Sequence, residues 1–164
     1  MSKPPRDRTY LASRAYFVTA KTWGSRTIFQ SERLALLFLE TLFHYRDAGK
    51  FELHEFVVMP NHAHLLFTPA PDVTLERAMQ LIKGGSSHRI GQEVSAKLEV
   101  WERGFVDHRI RDEQDFERHR EYIRQNPVEA GRCAAPEDFP YSSACPAWRQ
   151  RLTSAAKAGS GDAA

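Results

Sequence analysis

The chain has 164 residues, 41% of them hydrophobic and 27% charged, with a formal net charge of +2. That composition fits one globular domain with a core of its own, and a charge so near balance leaves whole-protein attraction to a polyanion undecided. No run approaches the roughly 18 apolar residues that a membrane span needs, and MSKPPRDR at the N-terminus has no apolar stretch of the secretory kind, so a cytoplasmic protein with no membrane partner is expected.

Residues 1–13 read as a loose basic arm. Lys3, Arg6, Arg8, Arg14, Lys21, Arg26 and Arg33 face only Asp7 and Glu32 in the first 33 positions. Such a local excess draws polyanions, although a solubilising tail explains it equally. AYFVTAKTW (15–23) is aromatic and β-branched and predicts a strand. Gly24 and Ser25 mark a turn. Ser31 is a candidate N-cap for a helix with Leu34, Leu37, Phe38, Leu42 and Tyr45 at helical spacing, and Gly49 stops it.

FELHEFVVM (51–59) predicts a second strand, Pro60-Asn61 a tight reversal, and HAHLLFTP a third strand antiparallel to it. Thr74 caps a helix in which Gly84-Gly85 marks a break or a close approach. VWERGFVDHRI (100–110) holds a fourth strand. Asp112 caps the last long helix, which Pro127 ends or kinks near Asn126. Residues 131–151 look irregular. Cys133 and Cys145 are too few for a disulfide framework. The domain is therefore expected over 14–151, followed by a disordered tail at 152–164. The order β-α-β-β-α-β-α predicts a ferredoxin-like, RRM-like α+β fold: a four-stranded antiparallel sheet with helices on one face.

The chemistry concentrates at VMPNHAHLLF (58–67). A strand has a side-chain period of two, so His62 and His64 share one face and Ala63, Leu65 and Phe67 the other. Buried imidazoles cost desolvation energy unless they are paired or liganded. Tyr122 and Asn126, four residues apart, share a helical face, with His119 nearby. If that helix lies on the histidine strand, two imidazoles and a carboxamide form an open three-point cup for a divalent cation. A phenol ionises only near pH ~10 in water and needs a cation to become a useful nucleophile. The consistent reaction is attack on a DNA phosphodiester, giving a phosphotyrosine link and a free 3′-hydroxyl. No P-loop is present, so no nucleotide cofactor is expected.

These blocks carry a resemblance. VVMPNHAHLLF resembles the His-hydrophobic-His signature of the HUH endonuclease superfamily. Together with LIKGGSSHRI, WERGFVDHRIRDEQDF, YIRQNPVEAG and FPYSSA, it resembles the single-tyrosine transposases, closest to the REP-associated tyrosine transposase branch. The similarity runs from about Ala15 to Ser143. The resemblance implies action on single-stranded DNA folded as a hairpin from a palindromic repeat, with Mg²⁺ or Mn²⁺ as cofactor. It makes His62 and His64 metal ligands and Tyr122 the nucleophile. Asn126 falls where the family has a polar third ligand, often glutamine, and Gln125 is the alternative. A monomer or a homodimer is compatible with it.

Other uses of the same residues stand beside these. An HxH pair can simply be hydrogen-bonded, Tyr122 can pack, and Asn126-Pro127 can open a short helix. His44, His54, His88, His108 and His119 are expected to serve structure or surface. DNA contacts are expected from Lys83, Ser86, Ser87 and Arg89, where cations and small residues suit a phosphate backbone, and from Arg6, Arg8 and Arg14. Trp23, Phe29 and Trp101 are candidates for stacking on bases, with core packing the usual fate of such residues. The competing class is a DNA-hairpin-binding module without productive cleavage. An RRM-like RNA binder is disfavoured because FELHEFVVM and HAHLLFTP lack the aromatic RNA-binding motifs.

Overall fold

The computed structural model describes residues 14–154. The arm 1–13, with Arg6 and Arg8, and the tail from 155 onward lie outside the described residues. Four strands, β1 (Tyr16–Lys21), β2 (Phe51–Met59), β3 (His62–Pro69) and β4 (Val106–Arg109), form one antiparallel sheet in the order β2-β3-β1-β4. The helices are α1 (Glu32–Asp47), α2 (Leu75–Val94), α3 (Glu113–Glu129) and α4 (Pro146–Ser154). This is the expected ferredoxin-like order, with β1 and β3 at the centre.

The local signals act as anticipated. Ser31 Oγ accepts from Leu34 N, Thr74 Oγ1 from Arg77 N and Asp112 Oδ1 from Asp115 N, so each long helix starts on a side-chain cap. Gly49, at φ +77°, carries the chain out of α1 in a left-handed turn. The pleat then sorts the strand residues. Val18, Phe56, Val58, Ala63, Leu65 and Phe67 pack with Phe38, Leu42, Met79 and Ile82 of α1 and α2. Val57, Met59 and Leu66 point the opposite way and meet Phe116 and Ile123 of α3. Helices on one face describes the two crossover helices. The third long helix lies on the other face, which is the face that His62 and His64 share.

Four boundaries differ from expectation. Gly84 and Gly85 do not break α2, which runs through them. The close approach is real at Gly85, where a Cβ would meet Tyr45 Cε2 and Oη at 2.9 Å and Thr41 Cγ2 at 3.1 Å; at Gly84 it would meet nothing within 4 Å. The two neighbours therefore carry opposite predictions. Gly84→Ala gains helix propensity and should stabilise by up to about 1 kcal/mol. Gly85→Leu overpacks the α1–α2 seam and should cost about 1–3 kcal/mol. Chemical denaturation of the two variants reads the sign directly.

Pro127 does not end α3, which continues to Glu129. It sits in the last turn, so its missing N–H costs only one hydrogen bond near the helix end. Residues 131–151 are not uniformly irregular. Ser142 bridges to Val57, Val58 N donates to Tyr141 O, and α4 follows with Trp148 and Leu152 packed on the core. The tail boundary at 152 moves accordingly, since Leu152, Thr153 and Ser154 are helical.

A register shift between Leu53 and Glu55 leaves His54 packed edge-on against Phe116, with its Nε2 sharing a 2.8 Å hydrogen bond with Thr68 Oγ1. Burial holds its pKa down at about 4, against a smaller raising effect from Glu55. Between pH ~6.5 and 4 the unfolded chain protonates this ring and the folded chain does not. Stability is unaffected by His54 above that window and falls through it, by up to about 3 kcal/mol. The midpoint of urea unfolding should drop as pH is lowered from 7 to 4.5, and more shallowly in His54→Gln.

Candidate active site

The site begins with the pairing of β1 and β3. Lys21 pairs with His62 and Thr19 with His64, so Phe17, Thr19 and Lys21 share the histidine face. His64 is buried, and its Nδ1 shares a 2.9 Å hydrogen bond with Thr19 Oγ1. His62 Nδ1 lies 2.7 Å from Asn61 Oδ1. A carboxamide oxygen only accepts, so His62 donates from Nδ1 and keeps its lone pair on Nε2. The two rings lie 4.8 Å apart at 72°.

Burial pushes the pKa of His62 down, with Lys21 adding to the effect. It pushes His64 to about 3, with His62 contributing. Both rings are thus neutral at neutral pH, the state in which an imidazole binds a metal. A hydrogen-bond partner on the other ring nitrogen is also the usual support of a metal-binding histidine.

α3 brings the phenol. The Tyr122 ring packs edge-on against His64 at 5.3 Å and 71°, and against Phe17 at 5.8 Å and 81°. Phe17 in turn stacks on His64 at 5.3 Å and touches His119 at 4.8 Å. Tyr122 nevertheless stays 47% exposed, so a ligand can reach it. Asn126, one turn later and half-buried, lies on the same helical face. Gln125 Nε2 donates to Glu121 Oε1 at 3.0 Å. The donors present, two neutral imidazoles and a carboxamide, suit a divalent cation.

Two carboxylates, neither singled out in the sequence, hold this helix. Asp115 is buried in its first turn. His108 Nε2 of β4 lies 2.8 Å from its Oδ2, His119 Nδ1 lies 3.1 Å from its Oδ1, and Arg111 N donates to Oδ2 at 3.0 Å. Burial alone would raise this carboxyl, but the Arg111 N–H and the His108 ring hold it down at about 2. The three side chains have metal-ligand chemistry, with donors within 4.8 Å of one another. The His108 and His119 rings, however, are stacked at 4.6 Å and 18°. His119 Nδ1 lies 2.8 Å from Asp115 O, which only accepts, so that nitrogen carries its proton toward the backbone carbonyl, while the His108 ring holds the carboxylate. The second carboxylate, Glu55 of β2, is buried and accepts from Arg120 Nε of α3 at 3.0 Å, from Ser143 Oγ at 2.7 Å and from Arg149 Nη2 of α4 at 2.5 Å.

The expected DNA contacts divide. Ser86 is fully buried; it donates to Ile82 O and accepts from Trp101 Nε1, so it fastens α2 to the 100–104 segment and cannot reach a phosphate. Lys83 Nζ donates to Glu102 O at 2.7 Å and Gly104 O at 2.6 Å, an anchoring use that departs from the expected phosphate contact. Ser87 and Arg89 are half-buried on α2, and Arg14 lies at the start of the described chain. Phe29 and Trp101 belong to the core.

The sheet thus sets paired imidazoles against a helix-borne phenol. The family described as "Transposase IS200 like" matches residues 15–126, and the chain belongs to it. A REP-associated tyrosine transposase from Escherichia coli (strain K12) is 27% identical over 137 residues, 79% of this chain and 80% of that one. A solved structure of a REP-associated tyrosine transposase bound to a REP hairpin superposes with a TM-score of 0.70, covering 94% of this chain and 87% of that chain at 23% identity. No helix among the described residues is long and apolar enough to cross a membrane.

Proposed function

We propose that the chain nicks and rejoins single-stranded DNA at hairpins of palindromic repeats through a covalent link between Tyr122 and a 5′-phosphate. One observation carries the reading: the Tyr122 ring contacts His64 of a neutral, oriented imidazole pair while nearly half of the residue stays open to solvent. Family membership and the E. coli relative agree with it.

His62, His64 and Asn126 would hold Mg²⁺ or Mn²⁺, which supplies Lewis acidity at the scissile phosphodiester. The chain's own residues do the rest. Asn61 and Thr19 orient the two imidazoles. Phe17 packs edge-on against the Tyr122 ring. The phenol yields its proton, the Tyr122 Oη–P bond forms as the P–O3′ bond breaks, and the departing 3′ oxygen takes up a proton. A phosphoester replaces a phosphoester, so a 3′-hydroxyl at a new junction reverses the step and completes transfer. Arg14, Ser87 and Arg89 are the described residues left as candidates to hold the DNA backbone.

The test is a labelled DNA hairpin incubated with the protein and Mn²⁺, then run on a denaturing gel. A protein–DNA adduct that disappears with EDTA is the expected result. Hairpin binding with no adduct in either condition would leave a binding module in place of an enzyme.

A further inference from the structure

Of the three aromatic side chains that suited base stacking by sequence, the fold withdraws two. Phe29 is 2% exposed and Trp101 6%, whereas Trp23 is 42% exposed. Trp23 thus keeps a large part of its surface open to solvent, and its place in the chain relative to the site is specific. Lys21 pairs with His62 in the sheet, and Trp23 follows two residues later, which sets its loop beside the imidazole pair.

The loop is rigidly built. Thr22 is fully buried; its Oγ1 donates to Arg26 O at 2.7 Å and Asn61 O at 3.0 Å, and its N–H donates to Asn61 O at 3.0 Å. Trp23 N donates to Val100 O. Asn61 is the residue whose side chain orients His62, so the tryptophan loop and the imidazole share one anchor. The turn runs through Gly24 at φ +61° and Ser25 at φ +55°. A serine in the left-handed region costs conformational energy, and such residues persist where the surroundings over-determine them, often at ligand sites. Lys21 and Arg26, both exposed, flank Trp23 along the chain.

An exposed indole flanked in the chain by two cations, on a loop beside the proposed phosphate-processing site, suits single-stranded nucleic acid: a base can stack and the neighbouring phosphates can meet the lysine and arginine. We propose that Trp23 is a base-stacking platform that holds an unpaired nucleotide of the DNA strand next to the Tyr122–His64 site. This rests on the proposed function but makes a separate demand on the molecule. Duplex stem cannot use the platform, because its bases are already stacked on each other. The loop therefore reads the single-stranded part of the substrate.

The experiment is fluorescence titration of the full chain with oligothymidine at low salt, with a fully duplex oligonucleotide of equal length as the second arm. The chain has three tryptophans, of which Trp101 is buried and Trp148 donates its ring N–H to Pro140 O. Oligothymidine should quench the emission of the parent and duplex should not. Trp23→Ala should weaken oligothymidine binding by about tenfold or more, within the range expected for the loss of one stacked base. Trp23→Phe should keep most of the affinity and lose the quenching. Equal quenching in parent and Trp23→Phe, no quenching in the parent, or equal loss of both ligands in Trp23→Ala would overturn the proposal. Each of these outcomes leaves the hairpin–adduct assay untouched, so the catalytic reading stands or falls separately.

Discussion

Tyr122→Phe should bind a DNA hairpin as the parent does and form no covalent adduct. The substitution removes one oxygen from a residue that is 47% exposed. The ring contacts with His64 and Phe17 are retained, so the unfolding free energy should move by no more than about 0.5 kcal/mol. Adduct formation should fall by at least ~10³-fold, the scale on which removal of a covalent nucleophile acts. The comparison needs equal hairpin affinity in the two proteins, measured in the same buffer with Mn²⁺. An adduct of undiminished yield in Tyr122→Phe would move the nucleophile to another residue. No adduct in the parent, with tight binding in both proteins, would point to a chain that reads hairpins without cutting them.

Glu55→Gln should be among the most damaging substitutions far from the phenol. The carboxylate is buried and joins four parts of the fold: β2, α3 through Arg120, the 141–143 segment through Ser143, and α4 through Arg149. Neutralising it removes the buried counter-charge of two guanidinium groups; Arg120 keeps only the outer Glu117 carboxylate at 3.7 Å. Breaking a buried pair from one side costs about 3–5 kcal/mol. The arginine side chains are 28% and 32% exposed and can partly rehydrate, so the lower end applies. For a domain of this size about 3 kcal/mol lowers the melting temperature by roughly 10 °C. A triple replacement, Glu55→Met with Arg120→Met and Arg149→Met, should recover most of that loss if unpaired charge is its cause. Failure of the triple variant to recover would assign the cost to lost hydrogen bonds and packing.

The split between what the sequence revealed and what it concealed follows the range of each interaction. Caps, turns and pleats are local. Ser31, Thr74 and Asp112 announced their helices because a side chain three residues from the N–H it accepts is a short-range device. The face shared by His62 and His64 followed from the strand period alone. Glu55 was invisible because its partners lie 65, 88 and 94 residues away. Asp115 looked like one more acidic residue of a helix start; only β4, folded beside it, supplies His108. Ser86 was misread for the same reason: a serine in a glycine-rich helix resembles an exposed phosphate contact until Trp101 closes over it. Pro127 was read as an end or a kink because proline breaks helices in their middle, and here it stands in the final turn. α4 escaped because a nine-residue helix beginning at Pro146 is too short for a periodic apolar pattern to stand out.

The segment from Phe139 to Ser143 has a role beyond anchoring Glu55. β2 is an outer strand of the sheet, nine residues long and dense in Phe, Leu and Val. Through Val57, Val58 and Phe56 it is covered by Ser142, Tyr141 and Ser143. Stripped of that cover, it would be a long, bare template for strand addition by other copies of the chain, the usual seed of aggregation. The opposite border, β4, is only four residues long and carries Asp107 and Arg109, a poor template by length and charge. Protection against self-assembly thus resides in a stretch with almost no regular structure. A chain cut short before Phe139 would lose its solubility along with its clasp on the tyrosine helix.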